Sequence, residues 1–259
     1  MLIKDGYQAA VYGNKKDTAD SLKEAADART LICGIPFTKN QIDLCALVSK
    51  KDLTLEQLKA VLSPGQILYG GNIPKDFADY CLLNGVEVND FMKDKRLTLF
   101  NTIATAEGAI AEALIHQPTN LHKASCLILG YGKCAKVLAK KLRGMEANVT
   151  ICARSEEDLS LANAFGYELL PLKNWKAHLK EYEYIFNTVP SVILNKHNLR
   201  EMQEHVIIID IASRPGGVDY EAAKEMNINA RWTPGLPGQY APLSSAEALV
   251  KTILSNRGI

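Results

Sequence analysis

The apolar run Cys126-Leu127-Ile128-Leu129 passes directly into Gly130-Tyr131-Gly132-Lys133-Cys134-Ala135, and a helical pattern follows. No other stretch narrows the choice of fold as far. The first glycine permits a turn too tight for a side chain, the second lets a pyrophosphate approach the backbone, and the small Ala135 lets the helix lie close on the strand. The helix N-terminus then offers unpaired amides to an anion. The pattern predicts a strand over 125–129, a helix over 133–145, a second strand over 148–152 and a helix over 156–165. Strand, glycine turn, helix and strand at these spacings make a dinucleotide-binding βαβ unit, with Gly130, Tyr131, Gly132, Lys133, Cys134 and Ala135 as its cofactor contacts.

The end of the second strand decides which dinucleotide. An acid there accepts from a ribose 2′-hydroxyl, but this chain carries Ala153-Arg154-Ser155. A guanidinium and a hydroxyl suit a 2′-phosphate instead, so Arg154 and Ser155 predict NADP(H). Two further loops follow apolar runs and so fall on the carboxyl edge of the expected sheet, where open α/β sheets bind ligands. Asn187-Thr188-Val189-Pro190-Ser191 offers Thr188, Val189 and Pro190 to the cofactor. Asp210-Ile211-Ala212-Ser213-Arg214-Pro215-Gly216-Gly217 offers Ala212 to the cofactor and Ser213 and Arg214 to a substrate carboxylate. A third loop, Thr233-Pro234-Gly235-Leu236-Pro237-Gly238, either walls the cleft through Gly235, Leu236 and Pro237 or only turns the chain.

Short apolar runs alternate with helical patterns throughout. Candidate strands at 8–12, 30–35, 66–69 and 86–89, with a helix over 55–62 opened by Thr54, predict a first domain over 1–100. An alanine-rich interdomain helix over 101–117, strands near 184–186 and 206–211, and a closing helix over 245–255 complete a second domain over 101–259. The expected fold class is α/β with two Rossmann-like domains and parallel sheets. Lysine plus arginine number 30 against 29 acids, which gives no concentrated basic face for nucleic acid or a membrane surface. The opening residues lack the apolar core of a signal peptide, and no stretch is apolar enough to span a bilayer, which predicts a cytoplasmic protein.

Six cysteines (Cys33, Cys45, Cys81, Cys126, Cys134, Cys152) are scattered without a CxxC pair. They read as reduced core thiols, and no metal site is expected. His116, His122, His178, His197 and His205 stand beside no obvious orienting acid, so each reads as a surface or packing residue. Glu107, early in the interdomain helix beside Thr105, either faces the cleft as a catalytic acid or base or is a helix-start glutamate favoured by the macrodipole.

Five blocks in this order resemble the dipicolinate synthase A-subunit family: Asn101-Thr-Ile-Ala-Thr105-Ala-Glu107-Gly108, Gly130-Tyr-Gly-Lys133, Asn187-Thr-Val-Pro-Ser-Val-Ile-Leu194, the run from Asp210 to Asp219, and Pro234-Gly-Leu-Pro-Gly238. The resemblance implies oxidation of dihydrodipicolinate to dipicolinate with NADP⁺ during sporulation and an architecture similar to D-2-hydroxyacid dehydrogenases. It also implies a flavoprotein-like partner, the dipicolinate synthase B-subunit, and a small dicarboxylate substrate held by Thr105, Ser213, Arg214, Gly235, Leu236 and Pro237. Two departures accompany it. The family opens with a strand and glycine-rich turn before its first helix, whereas residues 2–7 resemble the helix itself. One βα unit is therefore expected to be lacking, and the sheet edge left open favours a homo-oligomer. Ala241-Pro-Leu-Ser-Ser-Ala-Glu247 stands where the family carries a lysine and Thr-Ala-Gly. The residues also fit a noncatalytic NADP(H)-binding subunit or sensor, and a dehydrogenase of another small carboxylic acid.

Overall fold

The computed structural model describes residues 2–3 and 6–258. Two compact units form. One runs to Thr98 and takes the chain back from Ala246, and the other is Leu99–Ser245.

In the first unit, α1 (Leu22–Ala25), β1 (Thr30–Ile32), α2 (Leu55–Val61), β2 (Ile67–Gly70), α3 (Lys75–Leu83) and β3 (Glu87–Asp90) build a parallel sheet in the order β1-β2-β3. Thr54 caps α2 as expected, its hydroxyl accepting the Gln57 amide at 3.1 Å. Leu58, Leu68, Phe77 and Cys81 are buried in its core. The helix α4 (Lys95–His116) starts within this unit and continues into the next, beginning at Lys95 rather than at residue 101.

The second unit follows with β4 (Ser125–Leu129), α5 (Lys133–Gly144), β5 (Asn148–Ala153), α6 (Glu156–Ala164), β6 (Glu168–Pro171), β7 (Tyr184–Asn187), α7 (Lys196–Arg200), β8 (Ile207–Asp210), α8 (Tyr220–Glu225), β9 (Asn229–Trp232) and α9 (Leu236–Tyr240). A last helix, α10 (Pro242–Asn256), returns to the first unit. All six strands are parallel in the order β6-β5-β4-β7-β8-β9, the doubly wound Rossmann arrangement. Residues 126–129 of β4 are fully buried, alternating between the two faces: Cys126 and Ile128 pack with Ala106, Ala109 and Ala113 of α4, while Leu127 and Leu129 pack with Leu179 and Leu199. A strand covered on both faces must be apolar, and β4 is so from Cys126 to Leu129, while β7 and β8 are so until their last residue.

The structure corrects the sequence reading in three places. Residues 8–12 are not a strand: the Val11 amide donates to Thr18 Oγ1 and its carbonyl accepts from the Thr18 and Ala19 amides, so local turn bonds take the groups a ladder needs. Residues 2–3 and 6 form turns, and Lys4 and Asp5 of the expected opening helix lie outside the described residues. The closing helix groups with the first unit, because Ile253, Ala248 and Leu249 of α10 pack on Tyr69, Phe91 and Leu97. No helix among the described residues is long and apolar enough to cross a membrane.

Ile253 is 3% exposed. Ile253→Ala is expected to destabilise the first unit by about 2–5 kcal/mol, with faster amide exchange in β2 and β3 and unchanged exchange in β4 and β7.

Candidate functional site

Between β4 and β7 the strand order reverses, so the loops leaving their carboxyl ends part and a crevice opens. The loops are fastened at its base. Thr188 gives both its amide and its hydroxyl to the Leu129 carbonyl, at 3.0 and 2.8 Å, and the Gly130 amide donates to Cys152 O at 2.8 Å. Gly130 has φ +91°, and a Cβ there would stand 2.5 Å from Thr188 Oγ1. Glycine is demanded twice, by conformation and by space. Gly132 differs, since a Cβ on it would meet nothing within 4 Å. It precedes α5 with no side chain capping the first amides and no acid in the first turn. Open space beside unpaired helix-terminal amides is what a pyrophosphate needs. Ala135 is fully buried, which lets α5 lie on the sheet, while Lys133 stands exposed at the helix start. Burial raises the Cys134 thiol's pKa, so the thiol stays neutral.

A cleft of about 300 Å³ opens here, lined by Gly130, Tyr131, Arg154, Ser155 and Val189. Five residues singled out from the sequence thus meet at one edge. Arg154 is exposed directly after β5, and Ser155 caps α6, its hydroxyl accepting the Asp158 amide at 3.3 Å while keeping its own proton to donate. Tyr131 is held edge-on to Tyr167 with ring centroids 6.3 Å apart, and Lys136 Nζ lies 5.2 Å from its ring centroid. Leu129, Cys152 and Ala153 also line it, and sequence reasoning missed four further lining residues, Leu172, Ser191, Ile193 and Asp158. Leu172 follows β6, a strand the sequence reading did not expect.

It also missed the residue that organises the remaining loops. Asp210, fully buried at the end of β8, accepts at Oδ1 from Asn187 Nδ2 (2.8 Å) and the Ala212 amide (3.0 Å). At Oδ2 it accepts from the Gly217 amide (2.6 Å) and the Tyr220 hydroxyl (2.7 Å). Burial, and then the hydrogen bond to Asp210 and its charge, raise the Tyr220 hydroxyl's pKa, so it remains a donor. Asn187 in turn bonds the Val189 amide and carbonyl. A Cβ on Gly217 would overlap the Asn187 side chain, and one on Gly216 would stand 2.9 Å from Asp210 Oδ2. Both glycines serve this closure. The loop 211–217 carries exposed Ser213 and Arg214, with the Arg214 guanidinium 5.5 Å from the Trp232 ring and Trp232 Nε1 donating to Ala212 O at 2.9 Å. Thr233 bonds the Asp210 carbonyl through amide and hydroxyl, so the 233–237 turn leaves from the same edge.

Several expected residues stand elsewhere. Glu107 pairs with Lys141 Nζ at 2.8 Å near the far end of α5, about 12 Å along that helix from Lys133, and it is not among the residues lining the cleft. Thr105 gives its hydroxyl to Asn101 O within α4. Leu236 is core, packed on α4 where Gly108 leaves room: a Cβ on Gly108 would lie 3.0 Å from Leu236 Cβ. Gly235, at φ +76°, and Pro237 open α9, so this loop turns the chain onto α4. Three histidines do have acidic neighbours, His116 with Glu112 (3.3 Å), His122 with Glu146 (3.4 Å) and His178 with Glu181 (2.9 Å), yet none lines the cleft. All six cysteines are free, and burial pushes Cys33, Cys126 and Cys152 up to about 12.

Comparison with known proteins follows this division of the chain. Residues 1–92 match the profile of the N-terminal domain of the dipicolinate synthase A-subunit, and residues 110–231 match that of shikimate / quinate 5-dehydrogenase. The dipicolinate synthase A-subunit of Bacillus subtilis (strain 168) is 34% identical over 157 residues, 61% of this chain and 53% of that protein, so the match spans about half the relative's length. A solved structure of the Bacillus subtilis A-subunit superposes with TM-score 0.79 at 25% identity, covering 89% of this chain and 78% of that one. The A-subunit from Bacillus halodurans shares the fold with TM-score 0.80 at 23% identity, covering 93% and 82%.

The two glycines of the turn are expected to part company under mutation. Gly130→Ala should destabilise the second unit by about 1–3 kcal/mol, whereas Gly132→Ala should stay within about 1 kcal/mol of the unmutated protein, both read by chemical denaturation.

Proposed function

We propose a function on the premise that the chain belongs to the dipicolinate synthase A-subunit family. It is an oxidoreductase of the dehydrogenase type, and our reading is that it uses NADP⁺ to oxidise dihydrodipicolinate to dipicolinate. One observation carries the reading. At the carboxyl edge of a single Rossmann sheet lie an open glycine turn, a guanidinium where an acid would select NAD, and a second guanidinium, Arg214, on the loop after β8.

Gly130 to Ala135 would hold the pyrophosphate with backbone amides, and Arg154 with Ser155 the 2′-phosphate. Thr188, Val189, Pro190 and Ala212 would border the nicotinamide half. The bound cofactor supplies the hydride acceptor. Arg214 would take a substrate carboxylate in its planar fork, kept in place by the Trp232 ring, with Ser213 as a second donor. Oxidation removes a hydride and a proton from the dihydropyridine ring, and the aromatic product lowers the demand for a strong base. That suits a cleft whose lining holds no histidine. A flavoprotein-like partner, association of like chains and a cytoplasmic site belong to the same proposal.

NADPH is expected to bind more tightly than NADH, and Arg154→Asp to remove the preference at a cost of about 1.5–3 kcal/mol; equal affinities of the unmutated protein in a fluorescence titration would overturn the NADP assignment. Gly132→Ala should weaken NADPH tenfold or more while the protein stays folded. Dihydrodipicolinate made in situ by its upstream synthase should reduce NADP⁺, followed by absorbance at the NADPH band with and without a flavoprotein-like partner, and simple hydroxy acids should be poor substrates. Arg214→Lys should raise KM for the acid and leave NADPH affinity in place. NADPH binding without turnover in either arrangement would identify a noncatalytic protein.

A further inference from the structure

We propose that Asp210 is a positioning residue that sets substrate affinity by fixing the loop bearing Arg214, an inference that rests on the reading of Arg214 as the carboxylate anchor. Its two oxygens seize the loop at both ends. Oδ1 takes the Ala212 amide and Oδ2 the Gly217 amide, so a single rigid group sets the chord across which residues 213–216 arch. Through Asn187, bonded to Oδ1 and to both backbone groups of Val189, the same carboxylate fixes the neighbouring loop after β7. The backbone of Arg214 is thereby set by Asp210, and its side chain by Trp232, whose indole is itself tied to Ala212 O.

The chemistry of the donor set supports this role. All four partners are neutral donors (an amide side chain, two backbone amides and a phenol), and none of the ion pairs among the described residues includes Asp210. Burying a carboxylate without a counter-charge is costly, and four convergent hydrogen bonds are its compensation. An asparagine of the same shape cannot replace it. One of its two ends is an NH₂, which would face either the Asn187 and Ala212 donors or the Gly217 and Tyr220 donors. Fold alone does not require such a group at the end of a strand, because the core positions 207–209 are apolar and complete.

The test compares the full chain with Asp210→Asn, Tyr220→Phe and Arg214→Lys, and with each of the first two combined with Arg214→Lys. Amide exchange is followed in NADPH-saturated protein, and affinity is titrated with dipicolinate in the presence of NADPH and with NADPH alone. Asp210→Asn should speed exchange of Ala212 and Gly217 tenfold or more with residues 207–209 unchanged. It should weaken dipicolinate tenfold or more and NADPH less than threefold. Combined with Arg214→Lys, it should weaken dipicolinate less than threefold further, because the loop then has no fork to position. Tyr220→Phe removes one bond and should follow the same pattern at about threefold; it carries the comparison if Asp210→Asn does not fold. Unchanged exchange at Ala212 and Gly217, equal losses of dipicolinate and NADPH, or losses that multiply fully in the combined variants would overturn the proposal. Failure of the unmutated protein to bind dipicolinate would sink the substrate reading instead, and the exchange measurement would still decide whether Asp210 fixes the loop.

Discussion

Everything at the ligand edge depends on β4 being paired on both sides, with β5 in one direction and β7 in the other. Parallel pairing on both edges satisfies the strand's backbone groups, and apolar layers on both faces make it inaccessible to water. Such a strand tolerates only apolar side chains. Because the chain crosses over one face after β4 and returns on the other side of it at β7, the loops at the two carboxyl ends must separate. The crevice is a topological result, and the glycines only keep it from being filled.

How much of this the amino-acid order discloses depends on how local the cause is. The turn at Gly130 and Gly132 is decided within one βα unit, so its strand and helix are readable, and of its residues Gly130 and Tyr131 line the cleft together with Arg154 and Ser155 from the end of the next strand. The edge strands of the six-stranded sheet are not readable. β6 is four residues ending in Pro171, and β9, with Asn229 and Arg231 exposed, carries too few apolar positions to stand out. Residues 8–12 show the reverse failure: their apolar character resembles a strand, yet the backbone groups of Val11 are taken by a local turn. Apolar periodicity says that a segment packs, without saying on what, which is why α10 was assigned to the wrong unit.

Asp210 and Asn187 illustrate a different limit. Each appears in the sequence only as a polar residue closing an apolar run, Ile207-Ile-Ile-Asp210 and Tyr184-Ile-Phe-Asn187. That they face one another depends on β7 and β8 being neighbours in register, with Asn187 opposite Asp210. A buried polar pair at matched strand ends is a tertiary fact, although the glycines crowded against it, Gly216 and Gly217, leave a trace in the sequence. Glu107 was the more conspicuous acid, and a single lysine on the neighbouring helix accounts for it.

The two units also differ in how the chain supplies them. Leu99–Ser245 is one uninterrupted stretch, whereas the other unit draws on two stretches separated by all of it. During synthesis the stretch up to Thr98 therefore cannot finish its own core until Leu99–Ser245 has been made. Tyr69, Phe91 and Leu97 wait for Ile253, while the Rossmann unit that follows them has every residue it needs once Ser245 has left the ribosome. Of the two units, the Rossmann unit is thus complete before the one whose first stretch precedes it, so the crevice beside β4 is finished while the other core is still open.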